Sequence, residues 1–322
     1  MEKLSNKISE TFVAEDAEGA ERTEIAGQPV VIFRPKKGKV VGVTFVVTAA
    51  NMPLSKYTSI IDALNSVDHV VLGIYVNAIT LNRNTHRIKA EAIPQIFEEI
   101  KTDFRVNKFD IVGHSVGAKI ALLTAALYDE QNQIRNIVAL DPVDQNPVEF
   151  TNESQLKQVL GGGSKSQSNA DGGDGKNLSL TSSKADITLT FTDSGSMIVS
   201  KKHNAREIQK KNPSVKLVLH RNTHHMVYTD EGGLLSWKAL MGKGDSPDRN
   251  KAVKAETLQL IKEKAMKSSI GGSATGQVNS VMGKVKKEWK SAKAELKELG
   301  EDGMKKGNQL AGAAKFTSMF KM

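Results

Sequence analysis

The chain has 322 residues, 39% of them apolar, and a formal net charge of +9 at pH 7. That size suits one large folded domain with an extension. With no cysteine in the sequence, disulfides and thiolate metal centres are excluded. No apolar run reaches the length needed to cross a bilayer.

The charge is unevenly placed. Residues 241–322 hold 17 Lys+Arg against 9 Asp+Glu, so +8 of the +9 lies there and the body is near neutral. The first residues lack an apolar signal region, and Glu2, Glu10, Glu15 and Asp16 are unlike an acid-poor transit peptide. The expectation is an intracellular, cytoplasmic protein, or a plastid one if a leader has been removed.

In chain order, residues 1–24 read as an N-terminal segment and 27–35 as an early strand. Residues 40–47 are almost all apolar, which predicts a central strand buried on both faces. A loop at 48–53 leads to a helix over 54–65, and 69–76 is a second buried strand. Residues 77–86 read as a polar loop. A helix over 93–104 places Ile96, Phe97, Ile100 and Phe104 on one side. Strands follow at 108–112 and 134–140, with a helix between them over 118–127. Residues 152–183 are rich in Gly, Ser, Asn and Asp and read as a flexible insertion. Strands at 185–192 and 215–219 flank a surface helix over 201–211. Strands alternating with helices imply a mostly parallel sheet.

The most informative motif is Gly113-His114-Ser115-Val116-Gly117. Gly-x-Ser-x-Gly between a strand and a helix suits a serine held on a sharp turn with its oxygen exposed. Two residues without Cβ let strand and helix approach closely around it. A serine used as a nucleophile needs a histidine base and an acid to orient that base. On the α/β-hydrolase fold these follow in the order serine, acid, histidine, on loops at the C-terminal edge of the sheet. Here acids follow the next strands at Asp141, Asp144 and Asp193, and His224 and His225 follow the last one. Asp193 holds the usual position of the acid, while Asp141 is stiffened by Pro142. Both stay open as the triad acid, and His225 or His224 as the base. His114 reads as a packing residue. The oxyanion donors are expected to be the N–H of Val116 and one from Ala50 or Asn51. No cofactor or metal is required.

Gly113-His114-Ser115-Val116-Gly117, then Ala139-Leu140-Asp141-Pro142-Val143-Asp144, then Thr223-His224-His225-Met226, resemble the chlorophyllase branch of the α/β-hydrolases over roughly residues 25–240. The resemblance implies an α/β-hydrolase domain at 25–242 acting on an apolar ester. It also implies Ser115 as nucleophile, Asp141 as acid and His225 as base. Ala49-Ala50-Asn51 stand where that family has His-Gly, and its cysteines are absent. These departures motivate a rival reading, a non-catalytic hydrolase-fold scaffold or binding module.

Residues 243–322 read as a basic helical extension, with helices over 251–267 and 280–299 and a Gly-rich joint at 271–276. Val281, Val285, Trp289, Ala292, Leu296 and Leu299 form a narrow apolar stripe flanked by lysines. Such a helix suits an anionic membrane surface or the groove of a protein partner. Nucleic acid is disfavoured, because Trp289, Phe316 and Phe320 alone offer stacking faces there.

Overall fold

The computed structural model describes residues 20–36, 39–77, 83–143, 179–181, 183–193, 205–230 and 247–269. Its strands are β1 (Glu21–Ile25), β2 (Gln28–Phe33), β3 (Gly42–Ala50), β4 (His69–Val76), β5 (Phe109–His114), β6 (Ile134–Leu140), β7 (Asp186–Thr192) and β8 (Lys216–His220). The helices are α1 (Thr58–Asn65), α2 (Arg83–Phe104), α3 (Val116–Leu127), α4 (Ala205–Lys211) and α5 (Pro247–Ser269). Two short 3-10 turns, Leu54–Tyr57 and His225–Tyr228, precede α1 and follow β8.

One sheet runs in the order β1-β2-β4-β3-β5-β6-β7-β8. From β4 to β8 every pairing is parallel; β1 and β2 join antiparallel at the β4 edge. The central strands are apolar along their length because helices cover both faces. Val43, Phe45 and Val47 of β3 share a core with Ile96 and Phe97 of α2 and Ile120 and Leu123 of α3. Val46 of the same strand faces the other way, toward Ile60 and Ile61 of α1 and Val253 and Ile261 of α5. The alternation of the pleat sorts adjacent residues into these two cores.

Several boundaries differ from the sequence expectation, among them residues 48–50, read as loop, which continue β3 to Ala50. β1 lies almost wholly before residue 25, inside the stretch read as an N-terminal segment, and pairs with β2 from Glu21↔Ile32 to Ile25↔Gln28. Its alternating charges suit an exposed edge strand. The helix expected from residue 93 begins at Arg83 and carries Pro94 in its interior. Proline costs a helix interior about 3 kcal/mol; buried Ala90, Ile93, Ile96 and Phe97 straddle it and hold the helix together. At the end of the stretch read as an insertion, Leu180 is buried and its N–H donates to Asn212 Oδ1 at 2.8 Å. Asp144, most of that stretch and residues 270–322 lie outside the described residues.

α5 falls in the segment read as an extension, yet it packs on the central sheet. Burial of Val253 and Ile261 contributes about 1.5–3 kcal/mol each. At its C-terminal end, the carbonyls of Lys264 and Ala265 accept from Asn136 Nδ2 (3.3 Å) and His69 Nε2 (3.2 Å). His69 Nδ1 in turn accepts from Thr44 Oγ1 at 2.8 Å. Buried side-chain donors of the sheet thus find acceptors on the last turns of the helix. Among the described residues no helix is long and apolar enough to cross a membrane.

Candidate active site

The C-terminal ends of β3, β5, β6, β7 and β8 converge at one edge of the sheet, where open α/β folds place their chemistry. Ser115 sits between β5 and α3 with φ 58° and ψ −117°. A non-glycine residue there is strained by roughly 1–3 kcal/mol. Three backbone bonds hold it. Its N–H donates to the Leu140 carbonyl (2.9 Å), and its own carbonyl accepts from Lys119 (3.2 Å) and Val143 (3.2 Å).

The flanking glycines are sterically required. A Cβ on Gly113 would lie 2.4 Å from the Gly117 carbonyl oxygen. One on Gly117 would lie 2.2 Å from the Val47 oxygen and 2.5 Å from the Thr48 oxygen. The elbow therefore presses directly on the end of β3, where oxyanion donors were expected.

Asp141 follows β6 and also has a positive φ, 44°, a conformation Asp tolerates better than most residues. Its N–H donates to Thr190 O at 3.0 Å. The carboxylate is buried and faces His225, with Oδ2 2.8 Å from His225 Nδ1. Thr192 Oγ1 donates to the same oxygen at 2.7 Å, and the Thr192 N–H approaches Oδ1 at 3.4 Å. The register that sets Leu140 beside Thr190 carries Thr192 alongside Asp141. Two residues after β6 and β8 thus meet as a buried carboxylate–imidazole pair beside the strained serine. Among the described residues no hydrogen bond joins Ser115 Oγ to His225 Nε2 in this arrangement. Catalytic hydrogen bonds are often long before substrate binds.

The remaining candidates lie elsewhere. Asp193 is exposed and accepts the Asn222 N–H at 2.8 Å, bracing the turn that leads to His225. His224 caps that turn: its Nδ1 accepts the Met226 N–H at 3.2 Å and Nε2 faces Asn250. Asn51 has a positive φ of 56° and gives its N–H to the Val76 carbonyl at 2.8 Å. Ala49 gives its own N–H to Tyr57 Oη at 2.9 Å. Ala50 lies between them at the end of β3, and Val116 opens α3.

His114 does more than pack. Its Nδ1 lies 2.8 Å from Tyr57 Oη, its Nε2 lies 3.0 Å from the His225 carbonyl, and its ring lies 4.7 Å from that of His225. Tyr228 closes the far side: Thr190 Oγ1 donates to its hydroxyl (3.0 Å), which lies 2.9 Å from His220 Nδ1. Tyr57 and Thr192 carried no sequence signal, since only register and chain crossing bring them here. The turn carrying His225 is clamped from outside by Asp230. Its Oδ2 accepts the Ser59 N–H at 2.8 Å, and Oδ1 pairs with Lys254. Among the described residues no cluster of three His, Asp or Glu side chains is arranged to hold a metal ion.

Burial makes three imidazoles poor bases, His220 and His114 at the site and His69 at the opposite end of the strands. It pushes His220 down to about 4, with the Arg249 charge acting in the same direction. His114 is held well below the usual histidine range, first by burial and then by His225. His69 is lowered by burial against the opposing pull of Asp110. Each is more readily protonated in the unfolded chain than in the folded one. Between pH 6.5 and about 4 the unfolded state therefore binds more protons, and stability falls as pH falls. We expect a lower urea midpoint at pH 5 than at pH 7. Equal midpoints would contradict the neutral, buried state of these rings.

A model of the family "Alpha/beta hydrolase of unknown function (DUF915)" matches residues 74–173. No curated protein matches the chain in sequence. Among solved structures, an esterase/lipase from an uncultured bacterium aligns with TM-score 0.51 and 11% identity, over 81% of this chain and 91% of that one. Est1E from Butyrivibrio proteoclasticus aligns with TM-score 0.50 and 12% identity, over 77% and 99%. At such identities the likeness concerns the fold. The chain has the α/β-hydrolase fold.

Proposed function

We propose that this α/β-hydrolase is a serine hydrolase of carboxylic esters. The observation that carries the reading is the buried Asp141–His225 pair set beside a serine in a strained elbow. Ser115 Oγ attacks the ester carbonyl while His225 Nε2 takes its proton. His225 then returns that proton to the departing alcohol, leaving an acyl-Ser115. Water, deprotonated by His225, releases the acid and regenerates the serine. Asp141 holds the Nδ1–H tautomer of His225 and stabilises the imidazolium. The Val116 N–H at the start of α3 is one oxyanion donor. Ala50 supplies the second in this reading, because the N–H groups of Ala49 and Asn51 are committed to Tyr57 and Val76.

The Asp141-Pro142-Val143-Asp144 motif supports an apolar ester of the kind the chlorophyllase branch takes. The test is hydrolysis of p-nitrophenyl esters of increasing acyl length by the full chain. We expect turnover that Ser115→Ala reduces by at least about 10³-fold. Turnover unchanged by Ser115→Ala would place any esterase activity outside this site. A folded wild type inactive on every ester would favour the scaffold reading.

A further inference from the structure

The sequence motif leaves His114 without a chemical role, and the ester-hydrolysis reading does not use Tyr57. Both are almost completely buried. A buried polar group is costlier than an apolar one of the same shape unless its bonds are well made, so packing alone does not call for either.

Their protons can be assigned from one end. His114 Nε2 faces the His225 carbonyl oxygen at 3.0 Å, and a carbonyl only accepts. Nε2 therefore carries the proton of the neutral ring, and Nδ1 is left as an acceptor. Nδ1 lies 2.8 Å from Tyr57 Oη, so the Tyr57 hydroxyl donates to it. Tyr57 Oη in turn accepts the Ala49 N–H at 2.9 Å. The result is one directional chain: Ala49 N–H to Tyr57, Tyr57 O–H to His114, His114 Nε2–H to the His225 carbonyl. No member can reverse its direction without leaving two buried donors or two buried acceptors face to face.

We propose that Tyr57 and His114 are positioning residues that tie the end of β3, which bears the proposed oxyanion donor, to the turn carrying His225. This rests on the serine hydrolase reading. Residue 114 precedes the nucleophile, so the chain passes through the elbow itself. It joins the two sides of the site that must close on one substrate carbonyl. The backbone of His225 is held here, while Asp141 holds its ring. The base is thereby fixed at two points, and Ala50 at the end of β3 is fixed relative to it through its neighbour Ala49.

The test compares Tyr57→Phe, His114→Gln and the double variant with wild type, using p-nitrophenyl butyrate as probe. Melting temperature serves to establish that each is folded. A displaced base or donor costs on the order of 10–100-fold in kcat. We expect that loss for Tyr57→Phe, with KM within about threefold of wild type and the acid limb of the kcat/KM profile at an unchanged pH. Because the residues act as one chain, the double variant should be no slower than about threefold below His114→Gln alone. A second measurement does not depend on turnover. In long-range ¹H–¹⁵N spectra at pH 7, His114 should be a single Nε2–H tautomer in wild type and mixed in Tyr57→Phe.

Wild-type kcat in both folded single variants would overturn the proposal, leaving the hydrolase reading intact. So would an Nδ1–H or doubly protonated His114 in folded wild type. A wild type whose turnover does not depend on Ser115 overturns the hydrolase reading, and the positioning role falls with it.

Discussion

Gly117→Ala should destabilise the protein by about 3 kcal/mol and remove at least about 100-fold of the ester turnover proposed for it, although alanine is the better helix former. Two effects oppose each other. Replacing glycine by alanine inside a helix favours folding by about 1 kcal/mol. Against this, the new Cβ would stand 2.2 Å from one backbone oxygen of β3 and 2.5 Å from the next. Neither oxygen is the end of a flexible side chain. Val47 pairs with Ile74 on one side and Gly113 on the other, so yielding means distorting the middle of the sheet. The clash therefore outweighs the propensity gain. Any relief that is found moves α3 away from β3, separating Val116 and Ser115 from Ala50 at the end of that strand. Urea unfolding and ester turnover check both halves. A variant with wild-type stability and rate would show that the elbow is not pressed against β3.

The second large effect separates the two acids. Asp141→Asn should lower kcat on the order of 10⁴-fold, the scale seen for triad carboxylates, while Asp193→Asn should stay within about threefold of wild type. Asp141 Oδ2 receives His225 Nδ1 and Thr192 Oγ1 together, and Oδ1 faces the Thr192 N–H. An amide must put its NH₂ toward one of these donors. In either orientation the imidazolium formed during acyl transfer loses its counter-charge. Asparagine also tolerates the positive φ at this position, so the fold should survive. Asp193, exposed and bonded to the Asn222 N–H, keeps that bond as asparagine through its amide oxygen. Steady-state kinetics on one ester decide the matter. Equal losses at both positions, or a larger loss at Asp193, would remove Asp141 from the proposed role.

Much of this site was legible in the sequence because strands buried on both faces announce themselves. The apolar runs at 69–76 and 134–140 coincide with β4 and β6, and the alternation of strands and helices placed Ser115, Asp141 and His225 at strand ends. The choice between Asp141 and Asp193 was not legible. Both follow strands in the sheet, and only the turn after β8 decides which one His225 reaches. β1 escaped notice because Glu21-Arg22-Thr23-Glu24 lacks an apolar face of its own; pairing with β2 and the Arg34–Glu21 ion pair at 3.2 Å define it. The helix expected over 93–104 missed its first turns because 77–86 reads as polar; burial on either side of Pro94 carries α2 back to Arg83. The boundary at residue 243 followed the shift to basic composition. α5 is basic on its surface, but its Val253 and Ile261 belong to the core. Tyr57 and Thr192 reach the site through tertiary crossings that no local pattern encodes.

The central claim is that Ser115 is an activated nucleophile. The most direct measurement is reaction of the purified full chain with a fluorophosphonate, followed by intact mass and peptide mapping. One adduct per chain is expected, carried by the peptide containing Ser115 and absent in Ser115→Ala. A folded wild type that takes up no label, or takes it up at another residue, would contradict it.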